Sequence, residues 1–154
     1  LFSDSVSNQL LLATGEQDRL FFFPFNSNIM AQYLTEGPLE TQVTIDSISS
    51  LHRAGGGTDI YRCAKTALQQ LAKADNGQNY TRGIILMTDG RSKGSYRDFR
   101  RSYSRLAEDI PVFGITFGDA DDGQLQELAD LTLARVFDGR SDLMQAFRQA
   151  KGYN

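Results

Sequence analysis

Cysteine and histidine are almost absent from this chain: Cys63 and His52 are the sole members of their kinds among 154 residues. One thiol excludes an intrachain disulfide and leaves the redox compartment open. With so few nitrogen and sulfur ligands, a zinc centre is not expected either. No stretch of about eighteen consecutive apolar residues occurs, so no segment reads as a membrane-spanning helix. The chain starts at Leu1 without a charged-then-apolar leader, which gives the expectation that it belongs to something longer. Familiar catalytic signatures are missing too. The run Gly55-Gly56-Gly57-Thr58 lacks the Gly-Lys-Ser/Thr ending of a phosphate loop, and its adjacent glycines lack the G-x-G-x-x-G spacing of a dinucleotide site. No Gly-x-Ser-x-Gly elbow exists, and a lone His52 near a helix end reads as a surface residue rather than a base.

What is present is globular. Apolar residues make up 40% and charged residues 23% of the chain, a balance that suits one domain with its own core. The net charge of -3 is unevenly spread. Basic residues crowd between Arg62 and Arg105, and acidic ones dominate both ends. So short a basic zone, flanked by acid, argues against nucleic acid as the main partner.

The most informative stretch is Ile84-Ile85-Leu86-Met87-Thr88-Asp89-Gly90, an apolar run that stops at a carboxylate and a glycine. Such a run reads as a strand buried on both faces in a parallel sheet, and Asp89 then stands at its carboxyl end, where open α/β sheets bind ligands. Asp89-Gly90 reads equally as a turn that caps the next helix. Before it, Val6, Leu10 and Ala13 suggest a helix ending at Thr14. Leu20 to Phe25 reads as a strand covered on both faces but interrupted by Pro24. Asn26-Ser27-Asn28 should turn the chain into an antiparallel strand over Met30 to Thr35, broken by Gly37-Pro38. Leu39 to His52 is ambiguous, with a helix favoured from about Thr44. Ile60, Ala64, Ala67, Leu68 and Leu71 make an apolar stripe, with Thr58 or Asp59 as N-cap. Cys63 falls within that stripe and reads as a buried thiol. Asp75-Asn76-Gly77 ends the connection.

After Asp89, Tyr96, Phe99, Tyr103 and Leu106 share one helical face, which leaves Arg97, Arg100, Arg101 and Arg105 toward solvent. Val112 to Phe117 is a further buried strand. Asp121 and Gln124 have capping-box spacing, so the acidic group Asp119, Asp121 and Asp122 reads as a helix start rather than a metal cage. Leu125, Leu128, Ala129 and Thr132 form the inner face of that helix. A short strand over Ala134 to Phe137 and a helix through Leu143, Phe147 and Ala150 complete the series. The alternation predicts an α/β fold: a doubly wound, mostly parallel sheet flanked by helices, in a single domain. Thr58 and Asp89 would leave the same sheet edge, and a hydroxyl with a carboxylate suits a hard cation such as Mg²⁺.

Gly56-Gly57-Thr58-Asp59-Ile60, then Ile84 to Gly90, then Val112-Phe113-Gly114-Ile115-Thr116-Phe117-Gly118, in that order and separation, resemble a von Willebrand factor type A (vWA) domain. Leu125-x-x-Leu128-Ala129-Asp130 and Ser141-Asp142-Leu143 to Phe147 are similar to the family's C-terminal helices. The resemblance covers essentially the whole chain and implies a Rossmann-like fold. It also implies a non-enzymatic binding module with a metal-ion-dependent adhesion site, in which Mg²⁺ or Mn²⁺ anchors an acidic residue of a protein partner. By that resemblance Thr58 supplies the second-loop hydroxyl and Asp89 the third-loop carboxylate. Asp59, Gly90, Arg91, Ser92 and Lys93 would border the partner. The family's first strand and its Asp-x-Ser-x-Ser loop have no counterpart here, since Asp4-Ser5-Val6-Ser7-Asn8 departs from that pattern. The expectation is therefore an N-terminally truncated domain whose first strand lies upstream of residue 1, with metal binding conditional on that missing loop. An extracytoplasmic, bacterial cell-envelope setting is the guess that goes with the resemblance. Alternatives are a Mg²⁺-dependent phosphoryl-transfer or hydrolytic enzyme using Asp89 with Asp119 or Asp121, and a metal-free scaffold of the same fold.

Overall fold

The computed structural model describes residues 14–49, 56–74, 80–106 and 109–152. The helix expected before Thr14, the Asp4 to Asn8 segment, Leu51, His52 and the Asp75-Asn76-Gly77 turn lie outside the described residues. The chain divides into two compact units, which meet in sequence at Gly56 and Gly57.

In the first unit, β1 (Arg19–Phe22) pairs antiparallel with β2 (Tyr33–Glu36), Arg19 standing opposite Glu36 and Phe22 opposite Tyr33. The Arg19 Nε to Glu36 Oε1 ion pair, 2.7 Å long, closes one end of the ladder. β1 stops before Pro24, as a residue without a ladder donor requires, and the chain turns through an Asn28 N–H to Asn26 Oδ1 bond of 2.9 Å. Two expectations are corrected here. β1 is half-buried throughout rather than covered on both faces, and β2 begins at Tyr33 rather than Met30.

A third correction concerns α1 (Gly37–Ser49), which starts well before Thr44. Pro38 lies in its first turn, where a missing N–H does no harm, and Glu40 Oε2 accepts the Glu36 N–H at 2.9 Å to close the N-terminus. Ile45 and Ile48 are buried, while Leu39 and Val43 are exposed.

The second unit is a three-stranded parallel sheet with strand order β3-β4-β5. Its elements are α2 (Ile60–Lys73), β3 (Ile84–Thr88), α3 (Tyr96–Tyr103), β4 (Val112–Thr116), α4 (Asp122–Leu131), β5 (Val136–Asp138) and α5 (Leu143–Gly152). Parallel neighbours need a crossover, and α3 and α4 supply it. In register, Ile84 faces Val112, Thr88 faces Thr116, and Thr116 faces Asp138. β4 is buried at every position, as expected for the middle strand. Leu125, Leu128 and Ala129 of α4 pack inward with Ile115, each large side chain contributing about 1.5–3 kcal/mol on burial. β5 runs from Val136, two residues later than the sequence pattern places it. Among the described residues no helix is long and apolar enough to cross a membrane.

Candidate functional site

The carboxyl ends of β3 and β4 deliver the chain to one rim of the second unit. At the end of β3 the buried Thr88 hydroxyl accepts the Gly90 N–H at 3.2 Å, which tightens the turn and leaves Asp89 exposed at its tip. Beside it runs the loop that follows β4, bonded through the Phe117 N–H to the Thr88 carbonyl at 3.2 Å. Gly118 in that loop has φ of 56°, and a Cβ there would stand 3.2 Å from the Asp89 Cβ. Glycine therefore lets this loop lie against Asp89.

The segment before α2 reaches the same rim. Lys93 donates its N–H to the Thr58 carbonyl at 2.9 Å, and Thr58 forms a parallel bridge with Ser92. A Cβ on Gly90 would come within 3.0 Å of Thr58 Oγ1, so the Thr58 hydroxyl abuts the Asp89-Gly90 turn. Thr58 and Gly90 are half-buried, and Arg91 and Lys93 are exposed.

Asp59 and Ser92 are occupied in holding these loops. Asp59 is the N-cap of α2: its Oδ1 accepts the Arg62 N–H at 2.9 Å, and its carboxylate lies directly against Gly94. Ser92 is buried, and its hydroxyl accepts the N–H groups of Ile60 and Gly94, each at 3.2 Å. Gln124 clamps the Ser92 backbone, its Oε1 accepting the N–H at 2.7 Å and its Nε2 donating to the carbonyl at 2.9 Å. Asp121 does cap α4, accepting the N–H groups of Gly123 and Gln124. The capping box is thus half realised, because the Gln124 amide is spent on Ser92.

The donor set at this rim is all oxygen, a hydroxyl from Thr58 and a carboxylate from Asp89, which fits a hard cation that keeps most of its water. Among the described residues no group of three or more His, Cys, Asp or Glu could hold a metal by itself. An ion here would need further oxygen donors.

A family model for the von Willebrand factor type A domain matches residues 3–149. The chain belongs to that family. Members are typically non-enzymatic protein-interaction modules. Among solved structures, a von Willebrand factor type A protein from Catenulispora acidiphila matches with a TM-score of 0.74 and 18% identity, over 96% of this chain and 36% of the other. BatB, a conserved hypothetical protein from Bacteroides thetaiotaomicron, matches with a TM-score of 0.66 and 15% identity, over 97% of this chain and 84% of that one. At such identity the likeness establishes the fold. The vWA domain here spans about a third of the length of the first, 36%. No curated protein sequence matches it.

Arg140 is the organising residue of this vWA domain that the sequence did not single out. From beyond β5 it donates to the carbonyls of Gly118 (3.3 Å) and Ala120 (3.2 Å), to Thr116 Oγ1 (3.3 Å) and to both Asp122 oxygens (3.2 and 2.5 Å). The Arg140 hydrogen bond holds the Asp122 carboxyl below its ordinary value of 3.8. No local pattern marks Arg140, which acts over 18 to 24 residues of sequence. Cys63, by contrast, is buried as expected, and desolvation pushes its thiol up to about 12, which leaves it a poor nucleophile at neutral pH. Burial, followed by the neighbouring Glu127 carboxylate, likewise raises the Tyr61 phenol.

Proposed function

We propose that this vWA domain docks a protein partner through a divalent cation, Mg²⁺ or Mn²⁺, held at the rim by Thr58 and Asp89. The observation that carries the reading is the meeting of the Thr58 hydroxyl with the Asp89-Gly90 turn. Bound there, the cation would supply Lewis acidity toward a carboxylate of the partner. Thr58 and Asp89 each offer one oxygen ligand, and the remaining positions fall to water and to donors beyond the described residues. Gly118, held by Arg140, and Ser92, held by Gln124, keep the flanking loops in place, so the ligands are positioned before the ion arrives. Arg91 and Lys93 are exposed on the same loop and would attract acidic partners, acting on association rate and selectivity more than on affinity.

Electron paramagnetic resonance of Mn²⁺ titrated into the full-length protein tests this directly. The reading expects the free-ion signal to fall with saturable binding, and Asp89→Ala to restore it. Equal binding by Asp89→Ala would place the ion elsewhere. A metal-free scaffold is the second reading, favoured by the lack of a three-ligand acidic cluster among the described residues. It predicts partner binding that survives a chelator. The hydrolytic alternative would draw on Asp89 with Asp119 or Asp121, of which Asp121 is committed to capping α4 and Asp119 is exposed.

A further inference from the structure

Away from the rim, Arg97, Arg100, Arg101, Ser104 and Arg105 line a shallow groove of about 420 Å³ along α3. All of these residues are exposed. On the opposite face of the helix Phe99 and Tyr103 are buried, their rings stacked 6.1 Å apart, which fixes the guanidinium face outward. Arg97 and Arg101 stand one turn apart, about 6 Å, on α3, and Arg105 follows in the turn just beyond its C-cap.

Helix electrostatics account for only part of this. Arg100 and Arg101 lie in the last turn of α3, where positive charge complements the helix dipole, but Arg97 stands in the first turn, where it opposes it. Like charges three and four residues apart also repel. Among the described residues Asp98 lies 4.0 Å from Arg101, Asp109 acts on Tyr103 of the same helix, and no ion pair engages Arg97, Arg100 or Arg105. Four exposed arginines against one carboxylate in ion-pair range form a cationic face, in a chain of net charge -3, that is suited to an anion from outside.

We propose that this groove binds an acidic peptide segment of a partner protein, through carboxylate to guanidinium pairs and without a metal. The guanidinium fork matches a carboxylate with two parallel hydrogen bonds. The groove lining includes no aromatic side chain to stack on bases and no apolar side chain to enter lipid. The acidic remainder of the chain would oppose a nucleic acid or an anionic bilayer, whereas a short peptide meets only the groove.

The test uses the full-length protein with a chelator present, so that the rim cannot contribute. The probe is a labelled peptide of alternating Glu and Asp, read by fluorescence anisotropy, with phosphatidylserine vesicles and duplex DNA as parallel probes. The expected result is saturable peptide binding that fades toward roughly 1 M salt, where the screening length is about 3 Å. Arg100→Glu with Arg101→Glu should weaken it at least about tenfold while the domain stays folded, with a Tm lowered only by the lost helix-end charge. Arg100→Gln with Arg101→Gln serves if charge reversal unfolds the domain, and should weaken binding in the same direction. Peptide binding that is absent, or indifferent to these variants, overturns the proposal. Tighter binding to vesicles or DNA than to the peptide overturns it in favour of those ligands.

Discussion

Arg140 reaches back from the end of β5 to bond the loop that follows β4, and that loop packs Gly118 against Asp89. Its partners are of two kinds: the carbonyls of Gly118 and Ala120 do not titrate, whereas Asp122 does. Asp122 has its folded-state value lowered, so its contribution is present above the ordinary 3.8 and is lost as pH falls below it. Arg140→Met should therefore lower Tm at neutral pH. The gap from wild type should narrow below about pH 4, the unfolded carboxylate range, without closing. A gap that stays constant across acid pH in a thermal melt series would remove the ion pair from the account. At this scale Thr58 and Asp89 were legible as candidates, because a hydroxyl just ahead of a helix and a carboxylate at a strand end are local features. The supports were not, since the Gln124 to Ser92 clamp spans 32 residues and shows only once the loops are brought together.

Elements were legible where burial imposed a period and illegible where it did not. β3, β4, α2 and α4 carry mostly apolar residues at their inward positions and lie where their sequences place them, although Ile85 and Met87 leave one face of β3 half-buried rather than buried. α1 was misplaced because Leu39 and Val43 face solvent, which dilutes its helical period, and because Gly37-Pro38 both ends β2 and starts the helix. β5 was placed early because Ala134 and Arg135 run into Val136 with no breaking residue between them. Leu133 and Ala134 form the C-terminal wrap of α4, with the Ala134 N–H bonded to the Ala129 carbonyl at 2.8 Å and Leu133 at φ of 56°. Leu133 is 86% exposed, so its side chain contributes little packing while its backbone is strained. Leu133→Gly should raise stability by about 1 kcal/mol, the left-handed penalty less the extra chain entropy of glycine. Denaturant unfolding checks this, and a loss of stability would contradict it.

The whole molecule uses a parallel sheet to bring separate loops to one rim and an arginine-bearing helix to present a second face. The family and its fold were legible because three motifs keep their order and spacing over most of the chain. What the alternation of strands and helices did not reveal is the division at Gly56 and Gly57, or which of the described strands pair, β1 with β2 and β4 between β3 and β5. Sheet membership depends on strand neighbours, which periodicity does not encode. The central claim, that Thr58 and Asp89 together hold a hard divalent ion, is tested most directly by the thermal melt of the full-length protein with and without Mg²⁺. At about a hundredfold excess over Kd, bound ion should add roughly 2.7 kcal/mol, or about 5–10 °C in Tm, and both Thr58→Val and Asp89→Ala should reduce that gain. A melt indifferent to Mg²⁺ and Mn²⁺, or a gain that Asp89→Ala leaves intact, would contradict it.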